Sequence, residues 1–210
     1  MASPRLSPAH LPICCLLNAF NSLALASLGW DVLATDTHHV IQSVLKANVI
    51  NNLSSLPPGS GSLQVRELDW FIPPDSWTWH HESIIGSSSQ PSPSSSDSLP
   101  SLLRPPFDLI ISADTVYATE LITPFLRALH TLSTLSTSSS RGPPILLCIE
   151  RRDPILLDRL LSDAKVHWGF HVERISHKKI GKSLQKCGVK WPKSDWDGIE
   201  IWKLRLLLTS

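Results

Sequence analysis

Residues 107–117 (FDLIISADTVY) give the strongest signal for a buried strand in the chain. The run 107–113 is almost entirely apolar, which is typical of a strand that a parallel sheet covers on both faces. Two prolines precede the run, and Asp114 follows it directly. The stretch therefore predicts a buried strand whose carboxyl end presents an acid.

Similar segments alternate with helical patterns along the rest of the chain. Further strands are predicted at residues 30–36, 63–68 and 145–149, and helices at residues 22–28, 37–51, 123–135 and 154–166. This alternation predicts an α/β fold with a parallel, Rossmann-like sheet and helices on both faces. Residues 170–175 and 199–206 alternate apolar and polar positions, which predicts an antiparallel strand pair at the end of the sheet.

The bulk composition limits the classes of protein that the chain can belong to. Its 210 residues are 42% hydrophobic, which suits one globular domain with a core. A formal charge of +1 gives no electrostatic footprint for nucleic acid, and no apolar run is long enough to span a bilayer. The four cysteines form no CxxC pair, which favours a reducing compartment, the cytoplasm or also the nucleus. A secretory signal within residues 5–26 is the alternative to this location. We expect the protein to be a monomer.

Three predicted strands end in an acid, namely Asp36, Asp69 and Asp114. In an open α/β sheet, ligands bind outside the carboxyl ends of the strands. A carboxylate there can accept hydrogen bonds from ribose hydroxyls, an adenine amino group or backbone N–H groups. Each acid alone could simply cap the next helix or turn, but three together favour a site for a nucleoside-type ligand.

The arrangement resembles the seven-β-strand methyltransferases of family 16, the methyltransferase-like protein-lysine methyltransferases. Its most specific piece is the DxxY signature, here Asp114-Thr115-Val116-Tyr117. The spacing of Asp36 from the tripeptide LDW at residues 68–70 adds to it, as does the C-terminal stretch WDGIEIWKLRL. The resemblance covers roughly residues 22–206.

The resemblance implies S-adenosylmethionine as the cofactor and assigns four residues to it. Asp36 would hold the ribose hydroxyls, Asp69 would accept from the adenine amino group, and Trp70 would pack on the adenine. Ala113 would border the cofactor and the methyl-transfer channel.

The other two residues implied by the resemblance, Asp114 and Tyr117, would line the entry for the target amine. A carboxylate can orient an ammonium before it loses its proton, and a tyrosine ring can face a cationic centre. The first hypothesis is therefore methylation of a lysine side chain in a protein substrate. The alternatives are an inactive fold that serves as an interaction module, and a methyltransferase for a small molecule or nucleic acid. Tyr117 could also be an ordinary buried ring.

The sequence departs from the family at its N-terminus. The family has a glycine-rich loop after its first strand, whereas this chain has no glycine before Gly29 and has CCLLNAFN at residues 14–21. Residues 1–21 are therefore set apart as an atypical segment, with a degraded first strand, from a single domain at residues 22–210. A non-native N-terminus, a paralogue that has lost cofactor binding and a divergent working loop remain alternative explanations. Within the domain, the Ser- and Pro-rich residues 86–105 are expected to be a flexible insertion.

Weaker clusters have more than one interpretation. The pairs His38-His39 and His80-His81 lack metal-ligand spacing, so no metal site is predicted. Glu150-Arg151-Arg152 could contact a substrate or form local salt bridges. The lysines between residues 178 and 186 predict a basic hairpin loop, either solvated or recognising an acidic partner. Tryptophans 77, 79, 191 and 196 fall in predicted loops, where they could form a substrate wall or pin the loops down.

Overall fold

The computed structural model describes residues 12–16, 19–88, 101–137 and 141–207. Its strands are β1 (Pro12–Leu16), β2 (Asp31–Asp36), β3 (Leu63–Leu68), β4 (Ile84–Gly86), β5 (Leu109–Ala113), β6 (Ile145–Glu150), β7 (Phe170–Ile175) and β8 (Ile199–Leu206). Its α-helices are α1 (Ala19–Ser27), α2 (His38–Val40), α3 (Lys46–Leu53), α4 (Ile122–Leu135), α5 (Pro154–Val166) and α6 (His177–Lys186). In the described residues, the strands form one sheet in the order β4-β3-β2-β1-β5-β6-β8-β7.

The sheet confirms the predicted Rossmann-like α/β architecture. The strands from β1 to β6 pair in parallel, and β8 is antiparallel to both β6 and β7. After β1 the chain builds outward through β2, β3 and β4, and it then returns to place β5 on the other side of β1. The order of the strands therefore reverses at β1, and such a switch point is where open α/β sheets bind ligands.

The first strand is intact, so the prediction that it is degraded is wrong. Residues Ile13–Leu16 are at most 1% exposed, and β1 pairs with β2 on one side and β5 on the other. A central parallel strand needs apolar side chains on both faces, and Cys14 and Cys15 supply them because a free cysteine behaves as a small hydrophobe. Strand β1 lies within residues 1–21, the segment that was predicted to be atypical. The division into residues 1–21 and 22–210 stays a prediction, since Met1–Leu11 lie outside the described residues.

Three clusters of buried side chains cover the faces of the sheet in the described residues. On one face, α4 and α5 pack over β5, β6 and β8 through a large cluster that includes Phe125 and Leu160. On the other face, α1 packs Ala26 against β1 and β2, and a third cluster joins Ala34 to Leu45. Gly29, which follows α1, has a φ of 91°, the left-handed conformation in which many helices end.

Both ends of the predicted Ser- and Pro-rich insertion are held by contacts with the rest of the fold. Gly86 belongs to β4 and pairs with Leu68, and a Cβ at this position would lie 2.9 Å from the ring of Trp77. At the other end, the Leu103 N–H donates to Gln64 Oε1 at 2.8 Å, and the Arg66 guanidinium donates to the Leu103 carbonyl. Residues 89–100, on which the expected flexibility depends, lie outside the described residues.

Two helices differ from the sequence-based expectation. Helix α4 begins at Ile122 rather than at Pro124, which lies inside its first turn. The predicted basic hairpin loop is instead helix α6, whose N-cap Ser176 accepts a hydrogen bond from the Lys179 N–H. No helix in the described part of the chain is long and apolar enough to cross a membrane.

Candidate active site

A cleft with a volume of about 480 Å³ opens at the carboxyl ends of the parallel strands. Its volume lies within the range of small-molecule sites, which runs from about 300 to 1,000 Å³. The sequence analysis singled out six site residues, and the structure brings all six to its wall: Asp36, Asp69, Trp70, Ala113, Asp114 and Tyr117. The cleft therefore lies at the switch point of the sheet.

Asp36 ends β2 on the floor of the cleft. Its Oδ1 accepts a hydrogen bond of 2.8 Å from the Thr37 backbone N–H. Burial raises the pKa of Asp36, and the hydrogen bonds from Thr37 partly oppose that shift. The carboxylate is only partly buried and lines the cleft, so it can also accept a hydrogen bond from a ligand hydroxyl.

Asp69 and Trp70 form the wall that follows β3. Asp69 Oδ1 accepts from the Phe71 N–H at 2.9 Å, and the Asp69 N–H donates to the Gly86 carbonyl at 2.9 Å. The Trp70 ring lies 5.0 Å from the ring of Phe125 at an angle of 57°, and Arg127 donates to the Trp70 carbonyl at 2.8 Å. These contacts hold the turn after β3 in place, so the Asp69 carboxylate and the Trp70 indole are fixed beside the same cleft.

Asp114 follows β5 in an unusual backbone conformation. Its φ is 52°, and it is the one non-glycine residue with a positive φ in the described part of the chain. Aspartate adopts this left-handed region more readily than most residues, and backbones of this kind cluster at functional sites. The Asp114 N–H donates to the Cys148 carbonyl at 2.9 Å, and the side chain remains 53% exposed. The turn therefore directs the carboxylate away from the buried sheet.

Tyr117 is 80% exposed, so the alternative that it is an ordinary buried ring is wrong. The hydroxyls of Ser112, at the end of β5, and Thr115 lie 2.5 Å apart in a hydrogen bond, which ties the start of the DxxY segment to the strand. The side chains of Asp114 and Tyr117 both reach solvent.

A second, smaller groove meets the cleft at Asp114 and Tyr117. It has a volume of about 190 Å³, and its apolar part consists of Val116, Ile149, Leu156, Leu157 and Leu160. Glu150, Arg152 and Asp153 give it a charged rim. Because two residues belong to both spaces, a side chain lying in the groove would reach the cleft past the Asp114 carboxylate.

Glu150, Arg151 and Arg152 form local salt bridges, one of the two interpretations left open by the sequence. Arg151 binds Asp158 at 2.9 Å and Glu200 at 3.4 Å. Arg152 pairs closely with Glu150 and lies 3.7 Å from the Asp114 carboxylate. Arg152 is nevertheless a part of the groove, so the two interpretations are compatible.

Sequence reasoning missed the apolar part of the cleft. Leu16, Val40, Val44, Leu45 and Leu121 line it as well. Val40 and Val44 lie within the predicted helix at residues 37–51, and they are 36% and 52% exposed. Residues Ile41–Leu45 form a π-helical turn between α2 and α3, and such turns are frequent at functional sites. The exposure of the two valines is visible only in the structure, so no sequence pattern marked them as part of a ligand site.

The remaining clusters have structural roles. His38 accepts or donates a hydrogen bond of 3.1 Å with Glu67, and His81 accepts from the N–H of Ile84. In the described residues, no group of three His, Cys, Asp or Glu side chains could hold a metal ion. Trp77 and Trp79 pack edge to face at 6.4 Å and pin their loop against the core.

Comparisons with known proteins give the fold and one partial sequence match. No protein-family profile matches the chain. A protein-lysine N-methyltransferase of Schizosaccharomyces pombe, rrg1, is 30% identical over 96 residues, which are 46% of this chain and 25% of that protein. The chain thus spans about a quarter of the length of the curated relative that it matches.

Solved structures match over almost the whole chain at low sequence identity. The METTL16 methyltransferase domain superposes with a TM-score of 0.51 at 12% identity, covering 97% of this chain and 62% of that one. The N-terminal domain of human METTL16 in complex with SAH gives a TM-score of 0.50 at 12% identity, covering 98% and 64%. These likenesses show that the chain has the Rossmann-like fold of methyltransferases.

Proposed function

We propose that this protein transfers a methyl group from S-adenosylmethionine to a lysine side chain of a protein. The observation that carries the proposal is the gathering of Asp36, Asp69 and Trp70 on one cleft with Asp114 and Tyr117. The first three residues suit a nucleoside, and the last two suit an amine. The partial match to a protein-lysine methyltransferase supports the same chemistry.

The residues present fit the adenosine part of the cofactor. The Asp36 carboxylate can accept from a ribose hydroxyl, and the Asp69 carboxylate can accept from an exocyclic amine beside the Trp70 ring. A carboxylate in a partly buried site makes stronger hydrogen bonds than one in water. When bound, the cofactor would supply an electrophilic methyl group on a sulfonium.

Asp114 and Tyr117 suit the acceptor amine. A lysine must be neutral to act as a nucleophile. The smaller groove, which we call the acceptor groove, would favour the neutral form because its apolar side chains remove water from the ammonium. The Asp114 carboxylate can orient the ammonium and then accept a hydrogen bond as the proton leaves. The exposed Tyr117 ring can lie against the cationic group as it enters.

A calorimetric titration with S-adenosylmethionine tests the cofactor half of the proposal. We expect binding by the folded wild-type chain and a loss of about 10- to 100-fold in affinity for Asp36→Ala, because a hydrogen bond to a charged group disappears. Asp75→Ala is the matched control, since Asp75 is exposed and lies outside the cleft. Absence of heat from folded wild-type protein would overturn the proposal.

A methylation assay tests the acceptor half. Asp114→Ala should bind the cofactor within about threefold of wild type and lose transfer of labelled methyl groups to protein, because Asp114 belongs to the acceptor side. Acid hydrolysis of the labelled product should yield methyl-lysine. A labelled residue of another type would refute lysine as the acceptor, and equal losses of binding and transfer would refute the role of Asp114.

The second candidate is an interaction module with the same fold and no methyl transfer. The observation favouring it is the absence of glycine from residues 14–21, since glycines let a backbone approach a ligand closely. Leu17 and Asn18, which join β1 to α1, lie outside the described residues. The calorimetric titration separates the two candidates directly.

A further inference from the structure

Helix α6 is amphipathic, and its apolar side is already covered by the protein itself. Ile180, Gly181 and Leu184 are half-buried on that side. The Trp196 ring lies 5.2 Å from the His177 ring, and a Cβ at Gly181 would lie 3.8 Å from Trp196. The helix is therefore anchored by Trp196, and its other side faces solvent.

The solvent side carries a stripe of lysines. Lys178, Lys182 and Lys186 are spaced four residues apart, Lys179 lies next to them, and all four are exposed. None of them forms an ion pair with a described residue. Like charges four residues apart destabilise a helix, so the stripe does not serve the stability of α6. An anionic partner would remove this repulsion.

The basic charge is concentrated rather than spread over the molecule. Residues 176–198 contain six lysines and two acids, whereas the whole chain has 19 basic and 18 acidic residues. The segment is therefore strongly positive, while the rest of the chain carries a small negative charge. A local field of this kind selects a partner by charge and accelerates encounter.

The lysine stripe lies at the same edge of the sheet as the cleft. Ile199, at the start of β8, pairs with Glu150, and the Arg151 N–H donates to the Gly198 carbonyl at 2.9 Å. His177, at the start of α6, hydrogen-bonds the Ile199 carbonyl at 3.1 Å. Helix α6 thus starts beside the residues that give the acceptor groove its charged rim.

The turn that follows α6 exposes an aromatic side chain, Trp191. Gly188 has a φ of 75°, and the Val189 N–H donates back to the Leu184 carbonyl at 2.9 Å, which turns the chain away from α6. The turn opens a groove lined by Val189, Lys190 and Trp191, and Trp191 is 64% exposed. Aromatic side chains of this kind often anchor protein interfaces.

We propose that α6 and residues 188–192 form a docking surface for an acidic segment of a protein partner. That the partner is the methyl acceptor rests on the proposed function. Carboxylates of the segment would pair with Lys178, Lys182 and Lys186, and an apolar side chain would contact Trp191. Helix α6 starts beside the charged rim of the acceptor groove, so a segment docked along the helix would extend toward the target lysine.

Two other anionic partners fit the surface less well. Phosphate recognition favours the forked guanidinium of arginine, and residues 176–198 contain no arginine. A helix that binds a bilayer inserts its apolar side, but Trp196 already covers that side of α6. An acidic polypeptide needs neither feature.

Fluorescence anisotropy with a labelled polyglutamate peptide carrying one central lysine tests the proposal on the full chain. We expect Lys182→Glu/Lys186→Glu to lower affinity about tenfold or more, because two attractions become two repulsions. Lys46→Glu/Lys165→Glu makes the same change in net charge at exposed positions elsewhere and should bind like wild type. A polyglutamine peptide should not bind.

Equal affinities of the two charge-reversed variants would overturn the proposal, as would absence of binding to wild type. Tighter binding of duplex oligonucleotide or phosphatidylserine vesicles, lost with the same reversal, would also overturn it by assigning the surface to another partner. The assay contains no cofactor. A failed cofactor titration together with successful peptide binding would therefore refute the methyl transfer and leave the docking surface in place.

Discussion

Arg152 is the one cation that lines the acceptor groove in the described part of the chain, beside the carboxylates of Asp114, Glu150 and Asp153. It pairs with Glu150 and lies 3.7 Å from Asp114, and its own side chain is 70% exposed. Water screens an ion pair as exposed as this one, so the pair is weak. A substrate ammonium could therefore displace the guanidinium from Asp114 at little cost.

From this competition we expect Arg152→Met to lower the KM for a lysine-containing acceptor by up to about fivefold, with little change in kcat. Arg152→Lys keeps the competing charge and is the matched control. Steady-state kinetics with a methyl-accepting peptide measure both. A higher KM in Arg152→Met would show instead that the arginine recruits the acceptor.

The raised pKa of Asp36 gives cofactor binding a predictable pH dependence. Because burial lifts this pKa above its ordinary value of 3.8, the carboxylate takes up its proton at a higher pH than an exposed aspartate does. We expect affinity for S-adenosylmethionine to fall in acid, and the fall to begin at a higher pH than the titration of an exposed aspartate would give. Calorimetry at several pH values with Asp36→Asn checks the assignment, since this variant should lack the dependence. A wild-type slope in Asp36→Asn would assign the titration to another group.

At the scale of single residues, the acids were predictable and the apolar walls were not. Asp36, Asp69 and Asp114 stand at the ends of predicted strands, and the carboxyl ends of parallel strands meet at the edge of the sheet where ligands bind. Val40 and Val44 have the spacing of a core-facing helix stripe, and periodicity cannot distinguish the core from a cleft. The positive φ of Asp114 also leaves no pattern in the sequence.

Helix α5 begins with a cap that can be tested as a local element. Asp153 Oδ1 accepts from the N–H groups of Ile155 and Leu156 at 3.0 Å, and Pro154 follows at the first helical position. We expect Asp153→Ala to lower the free energy of unfolding by about 0.5–2 kcal/mol, while Asp153→Asn retains most of it. Urea denaturation measures the change. Asp197→Ala, at an exposed loop position, should have no comparable effect, and equal losses would contradict the capping role.

At the scale of elements, the composition of β1 and α6 does not indicate the secondary structure that each adopts. In β1, two adjacent cysteines stand where β-branched residues usually mark a strand, and Ile13 is its one β-branched residue, although both thiols pack as small apolar side chains. The lysines of α6 suggest a solvated loop. Its helical signals were present in Ser176 as a cap, in the spacing of His177, Ile180 and Leu184, and in Gly188 as a stop.

The parallel and antiparallel parts of the sheet could be predicted from the sequence, but the order of its strands could not. Alternating strands and helices indicate a parallel sheet, and two alternating strands at the end indicate an antiparallel pair. Which strands become neighbours depends on where the chain reverses, and the burial pattern of a strand does not name its neighbour. The reversal at β1 is therefore a property of the whole molecule, and it places the cleft.

The position of β1 at the centre of the sheet makes the stability of the molecule sensitive to alkaline pH. Cys14 and Cys15 point to opposite faces and are both fully buried. Burial raises the pKa of Cys14 far above its ordinary 9.0, and it raises the pKa of Cys15 to about 12. The unfolded chain would release both thiol protons above pH 9, whereas the folded chain retains them.

Because the folded state then binds more protons than the unfolded state, stability is full below pH 9 and falls as the pH rises toward 12. The expected loss is about 1 kcal/mol for each thiol and pH unit. Cys14→Ala/Cys15→Ala should be less stable at pH 7, since it creates cavities, but its stability should fall less steeply between pH 9 and 11. Urea denaturation across this range measures the slope. Cys187→Ala is the control, because Cys187 is exposed in the folded state as well, and an unchanged slope in the double variant would assign the alkaline transition to other groups.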